Sequence, residues 1–299
     1  MKAFVFPGQG SQYVGMAKKI PDSSLKKELF TKASEILNFD LLELCDNGPN
    51  EKLTSTENTQ PALFTVSSIY DLMFKDKNIK PEIVAGHSLG EYSALFSAGV
   101  FTFEDGVKLV RRRGLLMKEA SEKAPGKMLA VIGLSDDKVE SVVNEASKFG
   151  VIVAANFNSP GQVVLSGSDS AITKAAAIAK EHGARLARIL NVSAPFHSPL
   201  MAPIVGEMSQ YIDSVHFSDP EVPIVQNVTG EVTTDASEIK ENLKKQLTGA
   251  VLWTKSVLTM QKNGVNKFYE VGPKNVLKGL IGRIIKGADV TIAEAFFNA

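Results

Sequence analysis

The period of the apolar positions changes along the chain, and each change marks an element. Residues 2–6, Lys2-Ala3-Phe4-Val5-Phe6, are a nearly unbroken apolar run that predicts a buried strand. Residues 23–44 follow a helical, amphipathic pattern that Asn47-Gly48-Pro49-Asn50 interrupts. A polar stretch at 51–60 leads through Gln60-Pro61 into a second apolar helix over 62–74. The charged segment 75–81 then delivers the chain to Ile83-Val84-Ala85, a short strand followed at once by helix-forming residues. Gly99-Val100-Phe101-Thr102 turns the chain into another helix, with Leu109, Val110, Leu115, Leu116 and Met117 on it.

Beyond Ala124-Pro125-Gly126 the grammar differs. Strands are predicted at 128–134, 151–157, 162–166 and 184–192, with helices at 136–149 and 171–181. The order β-α-β-β-α-β is the ferredoxin-like split motif, and it predicts a small inserted subdomain over residues 126–193. The flanks, 1–125 and 194–299, then form one large subdomain. The second flank carries a helix to 213, a strand at 222–227, a helix at 237–247 and another from Trp253. It ends with a strand at 267–271, a helix at 276–286 and a strand at 290–293. Strands alternating with helices outside the insert predict an α/β fold with a mainly parallel sheet, covered on both faces.

Composition narrows the function classes. The 299 residues are 44% hydrophobic and 22% charged, with 33 basic and 33 acidic side chains, so no global field favours nucleic acid or a membrane surface. The one cysteine, Cys45, excludes an internal disulfide and has no Cys/His cluster around it, so it reads as a buried structural thiol. The apolar run at the N-terminus is too short for a signal peptide, and no segment reaches membrane-spanning length. A cytoplasmic enzyme, monomeric and without bound cofactor or metal, is the expectation.

The chemistry concentrates in Gly86-His87-Ser88-Leu89-Gly90, placed between a strand and a helix as the nucleophile-elbow pattern requires. Glycines at 86 and 90 let strand and helix approach, and the helix N-terminus aims free N–H groups at Ser88. A serine nucleophile needs a base, and there are four histidines. His87 adjoins Ser88, where neighbouring side chains diverge; His182 suits a helix C-terminus; His216 reads as a surface residue. His197, between Pro195 and Pro199, lies on a stiff segment later in the chain, which is the hydrolase-like order. No acid is identified by spacing as a third member. Near the N-terminus, Pro7-Gly8-Gln9-Gly10-Ser11-Gln12 lacks the third glycine of a dinucleotide loop, but it follows a strand where open α/β sheets place ligands, and it offers the Gln9 amide. Of the adjacent Arg111, Arg112 and Arg113, only one can face a cleft, because consecutive helical residues point in different directions.

These residues belong to a set of ordered motifs: Phe-Pro-Gly-Gln-Gly-Ser-Gln at 6–12, Gln60-Pro61-Ala62, Gly-His-Ser-Leu-Gly-Glu-Tyr-Ser-Ala at 86–94, Arg113-Gly114, Asn-Ser-Pro-Gly-Gln at 158–162, Pro-Phe-His at 195–197, Trp-Thr-Lys-Ser at 253–256 and Glu-Val-Gly-Pro at 270–273. With them the chain resembles malonyl-CoA:acyl carrier protein transacylases over nearly its whole length. The resemblance implies an α/β-hydrolase-like large subdomain with a ferredoxin-like insert. It implies that Ser88 is acylated, that His197 is its base, and that Gln9 and the Leu89 N–H form the oxyanion hole. Arg113 would hold the malonyl carboxylate, and Asn158, Gln162 and Phe196 would bind substrate. The Phe196 ring would crowd an α-branched acyl group and so favour malonyl over methylmalonyl. In place of an acid, the backbone carbonyl of Leu252 is expected to orient His197.

The implied reaction carries malonyl from malonyl-CoA through a malonyl-serine ester to the phosphopantetheine thiol of acyl carrier protein, in ping-pong order, in fatty-acid biosynthesis. A free-standing acyltransferase of a polyketide synthase shares that chemistry; a serine esterase or thioesterase is the third reading, favoured only by a neutral acyl pocket. An acidic carrier would dock on basic residues, with Arg185, Arg188, Arg283 and Lys286 as candidates.

Overall fold

The computed structural model describes residues 1–299 except 124, 193 and 299. Among the described residues, ten strands form two sheets: β1 Lys2–Phe6, β2 Ile83–Gly86, β3 Gly126–Ile132, β4 Ile152–Ser159, β5 Gln162–Ser168, β6 Leu186–Ile189, β7 Ile224–Val225, β8 Val232–Thr233, β9 Lys267–Glu270 and β10 Asp289–Ile292. The larger has the order β10-β9-β1-β2-β7-β8 and is parallel except for the short β7–β8 pair. The smaller, β4-β5-β3-β6, is antiparallel, with Asp136–Ala146 and Asp169–Glu181 as its helices. This is the hydrolase-like core with a ferredoxin-like insert. The expected junctions touch Ala124 and Ser193, which lie outside the described residues.

Burial on both faces explains the near-continuous apolar runs of the central strands. Phe4, Phe6 and Val84 point into one core cluster, whereas Ala3, Val5, Ile83 and Ala85 point into another on the opposite face. The small sheet uses its two faces differently. Leu129, Val131, Val163 and Leu165 pack under its own helices, while Met128 and Val164 turn toward the large core. The isolated bridge Asn156–Val251 ties the small sheet to the large subdomain, through Phe157 N to Val251 O at 2.9 Å and Val251 N to Ala155 O at 2.8 Å.

Several elements differ from the sequence reading, among them short helices at Asn50–Thr54 and Ala293–Phe297. The helix expected over 23–44 is two, Ser24–Leu37 and Leu41–Asn47, because Asn38 takes a left-handed C-cap conformation at φ 59°. The helix expected over 62–74 runs from Thr56 to Asp76 and carries Pro61 inside it. Proline has no N–H for the Glu57 carbonyl four residues back, and the Arg111 guanidinium donates to that carbonyl instead, at 2.7 Å. The strand β8 follows the turn at Gly230 and was not anticipated from its two residues. Among the described residues, no helix is long and apolar enough to cross a membrane.

Candidate active site

Strand β2 delivers Ser88 at the C-terminal edge of the large sheet. Ser88 itself adopts φ 54°, which lifts its side chain out of the line of the strand. Close packing makes both flanking glycines obligatory: a Cβ on Gly86 would overlap the Gly90 carbonyl group, and one on Gly90 would overlap the Phe6 carbonyl oxygen. The turn is strapped from behind by Asn227, just past β7. Its Oδ1 accepts from Ser88 N at 2.7 Å and its Nδ2 donates to Gly86 O at 2.6 Å. The helix Gly90–Ser97 begins directly after the turn, so the Leu89 N–H is one of the N-terminal amides that a helix leaves unused.

His197 also has a left-handed backbone, at φ 57°, and is 3% exposed. Its Nε2 lies 2.7 Å from Ser88 Oγ. The Nδ1 atom lies 2.8 Å from the backbone oxygen of Gln246, so the neutral ring donates through Nδ1 and leaves Nε2 as an acceptor facing the serine hydroxyl. Burial, with the positive charge of Arg113 nearby, pushes the His197 pKa down to about 3 and keeps the ring neutral. The expected orienting carbonyl at Leu252 is therefore corrected to Gln246. Leu252 opens the helix Trp253–Lys262, and its oxygen is taken by Ser256 N and Oγ at 2.9 and 3.0 Å. Gln246 ends the helix Ala236–Gln246, where the last carbonyls lack intrahelical partners.

Arg113, on the helix Phe103–Lys123, is 2% exposed although it carries a full charge. One terminal nitrogen donates to Gln60 Oε1 at 2.9 Å; the other donates to Gln246 Oε1 at 2.9 Å and to Ser88 Oγ at 3.2 Å. The guanidinium also lies over the Tyr92 ring. Its neighbours point elsewhere: Arg112 pairs with Glu207 near the surface, and Arg111, half-buried, is bound to Glu57 O and Asn58 Oδ1. The Arg112 side chain is 35% accessible, whereas that of Arg113 is buried.

The cleft in front of Ser88 is lined by Gln9, Leu89, Asn158, Phe196 and His197 together with Gln60, His87, Arg113 and the apolar Met117, Met128, Val164, Leu190 and Val192. Gln9 Nε2 donates to Thr56 Oγ1 at 3.2 Å. Asn158 Oδ1 meets His87 Nε2 at 2.7 Å, which turns the His87 ring away from the serine it adjoins. Gln162 is not in the cleft; it sits at the start of β5 and its Oε1 accepts from Arg283. Gln162 therefore stands outside the residues that line the cleft, beside Arg283. His182 pairs with Glu145, and His216 is exposed. Cys45 is fully buried, and burial raises its thiol pKa.

Sequence reasoning left three contributors without a role. The side chains of Gln60, Asn227 and Gln246 supply only amides, and the Gln246 backbone carbonyl adds no side-chain signal, so none carries a distinctive spacing. For Gln60 and for Glu91, described below, a signal existed in the motifs at 60–62 and 86–94.

Residues 3–294 match the family model described as "Acyl transferase domain". The malonyl CoA-acyl carrier protein transacylase of Escherichia coli (strain K12) is 45% identical over 285 residues, covering 95% of this chain and 92% of that one. The crystal structure of an acyl-carrier-protein S-malonyltransferase from Burkholderia pseudomallei 1710b superposes with a TM-score of 0.95 at 40% identity, covering 100% of this chain and 99% of the other. A malonyl-transacylase solved in complex with a type II PKS acyl-carrier protein gives 0.94 at 37% identity, over 99% and 98%. By this agreement in sequence and fold, the chain belongs to the malonyl-CoA:acyl carrier protein transacylases of the acyl transferase family.

Proposed function

We propose that this enzyme moves a malonyl group from malonyl-CoA to the phosphopantetheine thiol of acyl carrier protein through an ester on Ser88. His197 Nε2 takes the Ser88 proton as Oγ attacks the thioester carbonyl, and the Gln246 carbonyl stabilises the imidazolium that forms. The Leu89 N–H and the Gln9 amide stabilise the oxyanion, which requires Gln9 to exchange its Thr56 contact for substrate. Coenzyme A leaves with the proton from His197. The carrier's thiol then attacks the ester by the same steps in reverse. The acyl carboxylate lies on Arg113, and the Phe196 ring limits the volume beside the α-carbon. All of these groups come from one chain, so the site needs no second copy.

One observation carries the reading: a buried, permanently charged guanidinium touches the nucleophile's own oxygen. A cation there favours an acyl group that ends in an anion and disfavours the neutral acyl chains of a general esterase. Clamping the carboxylate also holds the ester in one pose for the incoming thiol, at the expense of water. A type II polyketide carrier is the second reading, supported by the relative solved with such a carrier. Intact mass spectrometry after mixing with malonyl-CoA tests the transferase: an adduct of one malonyl group on Ser88 is expected, discharged by acyl carrier protein. Net hydrolysis with no discharge to the carrier would count for an esterase instead.

A further inference from the structure

Behind the cleft, on the far side of the Ser88 turn, lies a carboxylate that the reaction does not use. Glu91 stands in the first turn of Gly90–Ser97 and is 1% exposed. Its Oε1 accepts from Gln226 Nε2 at 3.3 Å and from Asn227 N at 3.4 Å. Its Oε2 accepts from Gln246 Nε2 at 2.6 Å. Gln226 is itself fixed, its Oε1 accepting from Asn242 Nδ2 at 2.7 Å.

The consequence falls on Gln246. Its amide nitrogen donates to Glu91 Oε2 and, at 3.1 Å, to the Ser88 carbonyl oxygen, so both hydrogens have acceptors on one side. Oε1 must then face the other way, where it receives the Arg113 guanidinium at 2.9 Å. With the amide reversed, an N–H would point at a guanidinium that has only donors.

We propose that Glu91 is a positioning residue for substrate selection: its carboxylate fixes the orientation of the Gln246 amide and thereby the direction in which Arg113 presents its guanidinium to the acyl group. This rests on the reading of Arg113 as the site of the acyl carboxylate. The alternative is a purely structural role, in which Glu91 supports the turn and affects every substrate alike.

Glu91→Gln separates the two. Whichever way the new amide lies, its N–H₂ meets donors: Gln226 and Asn227 on one side, or Gln246 on the other. Burying such a mismatch costs enough to lower acylation by malonyl-CoA about tenfold. Acetyl-CoA has no carboxylate for Arg113, and its acylation rate should change by less than about twofold, because the Ser88–His197 pair is untouched. Arg113→Ala is assayed in parallel with the same two thioesters. If both variants lose the preference for malonyl, the link from Glu91 to Arg113 stands. If Arg113→Ala loses it and Glu91→Gln keeps it, or slows both thioesters equally, the proposal is overturned while the clamp survives. If Arg113→Ala keeps the preference, the clamp itself fails and the proposal falls with it. Should Glu91→Gln not fold, Glu91→Asp keeps the charge but withdraws the acceptor from Gln246, and it is read in the same way.

Discussion

Arg113 donates to the Ser88 hydroxyl across 3.2 Å, although twenty-five residues and a change of element separate them. The same nitrogen donates to Gln246 Oε1, while the Gln246 backbone oxygen receives His197 Nδ1. One residue at the end of one helix therefore links the guanidinium proposed to hold the acyl carboxylate to the imidazole proposed to move the proton.

The three arginines should separate cleanly. Arg113→Ala should lower malonyl acylation by several hundredfold, the scale of about 3–5 kcal/mol for breaking one member of a buried charged pair, with little effect on acetyl-CoA. Arg111→Ala should keep the substrate preference but cost about 1–3 kcal/mol in urea unfolding, since the Glu57 carbonyl next to Pro61 loses its donor. Arg112→Ala should resemble the wild type in both assays. An Arg111 variant with altered preference and unchanged stability would contradict this division.

Ser88→Ala should form no malonyl adduct. His197→Ala should form it about a hundredfold to ten-thousandfold more slowly, as expected from the loss of a general base. Rapid-quench mass spectrometry measures both. Normal acylation of His197→Ala would move the role to His87, which its 2.7 Å contact with Asn158 argues against.

His197 also makes a prediction about acid stability. In the unfolded chain it takes a proton near pH 6.5, but in the folded enzyme it refuses one until about pH 3. Below pH 6.5 the unfolded state binds more protons at this site, so stability falls as pH drops from 6.5 toward 3. His197→Asn has no such site. Its stability relative to the wild type should therefore rise by about 2–3 kcal/mol between pH 7 and pH 4.5, read from urea midpoints. A difference that stays constant with pH would show that His197 is protonated as readily in the fold as outside it.

Gly90→Ala should be poorly tolerated despite the good helix propensity of alanine. The new methyl would occupy the position of the Phe6 carbonyl oxygen and push β1 off the turn. A loss above about 3 kcal/mol, or failure to accumulate folded protein, is expected, and a variant within about 0.5 kcal/mol of wild type would mean that the contact relaxes easily.

What the sequence determined by itself is what local chemistry dictates. The run Ile83-Val84-Ala85 and the glycines at 86 and 90 require a strand, a tight turn and a helix, so Ser88 was legible before any coordinates. The two periods over residues 126–193 predicted the order β-α-β-β-α-β, and the motifs that carry the family resemblance singled out His197 and Arg113. The tertiary structure decided what depends on which groups remain unsatisfied after folding. Gln246 orients His197 because its carbonyl is left over at a helix end, whereas the Leu252 carbonyl is used by its own helix. Gln162 belongs to the 158–162 motif but lies outside the cleft lining, where its Oε1 accepts from Arg283. Pro61 sits inside a helix because Arg111, fifty residues later, replaces the donor it lacks. Amide side chains such as Gln60, Asn227 and Gln246 act through the direction of single hydrogen bonds, and that direction exists only once partners from distant segments have been brought together.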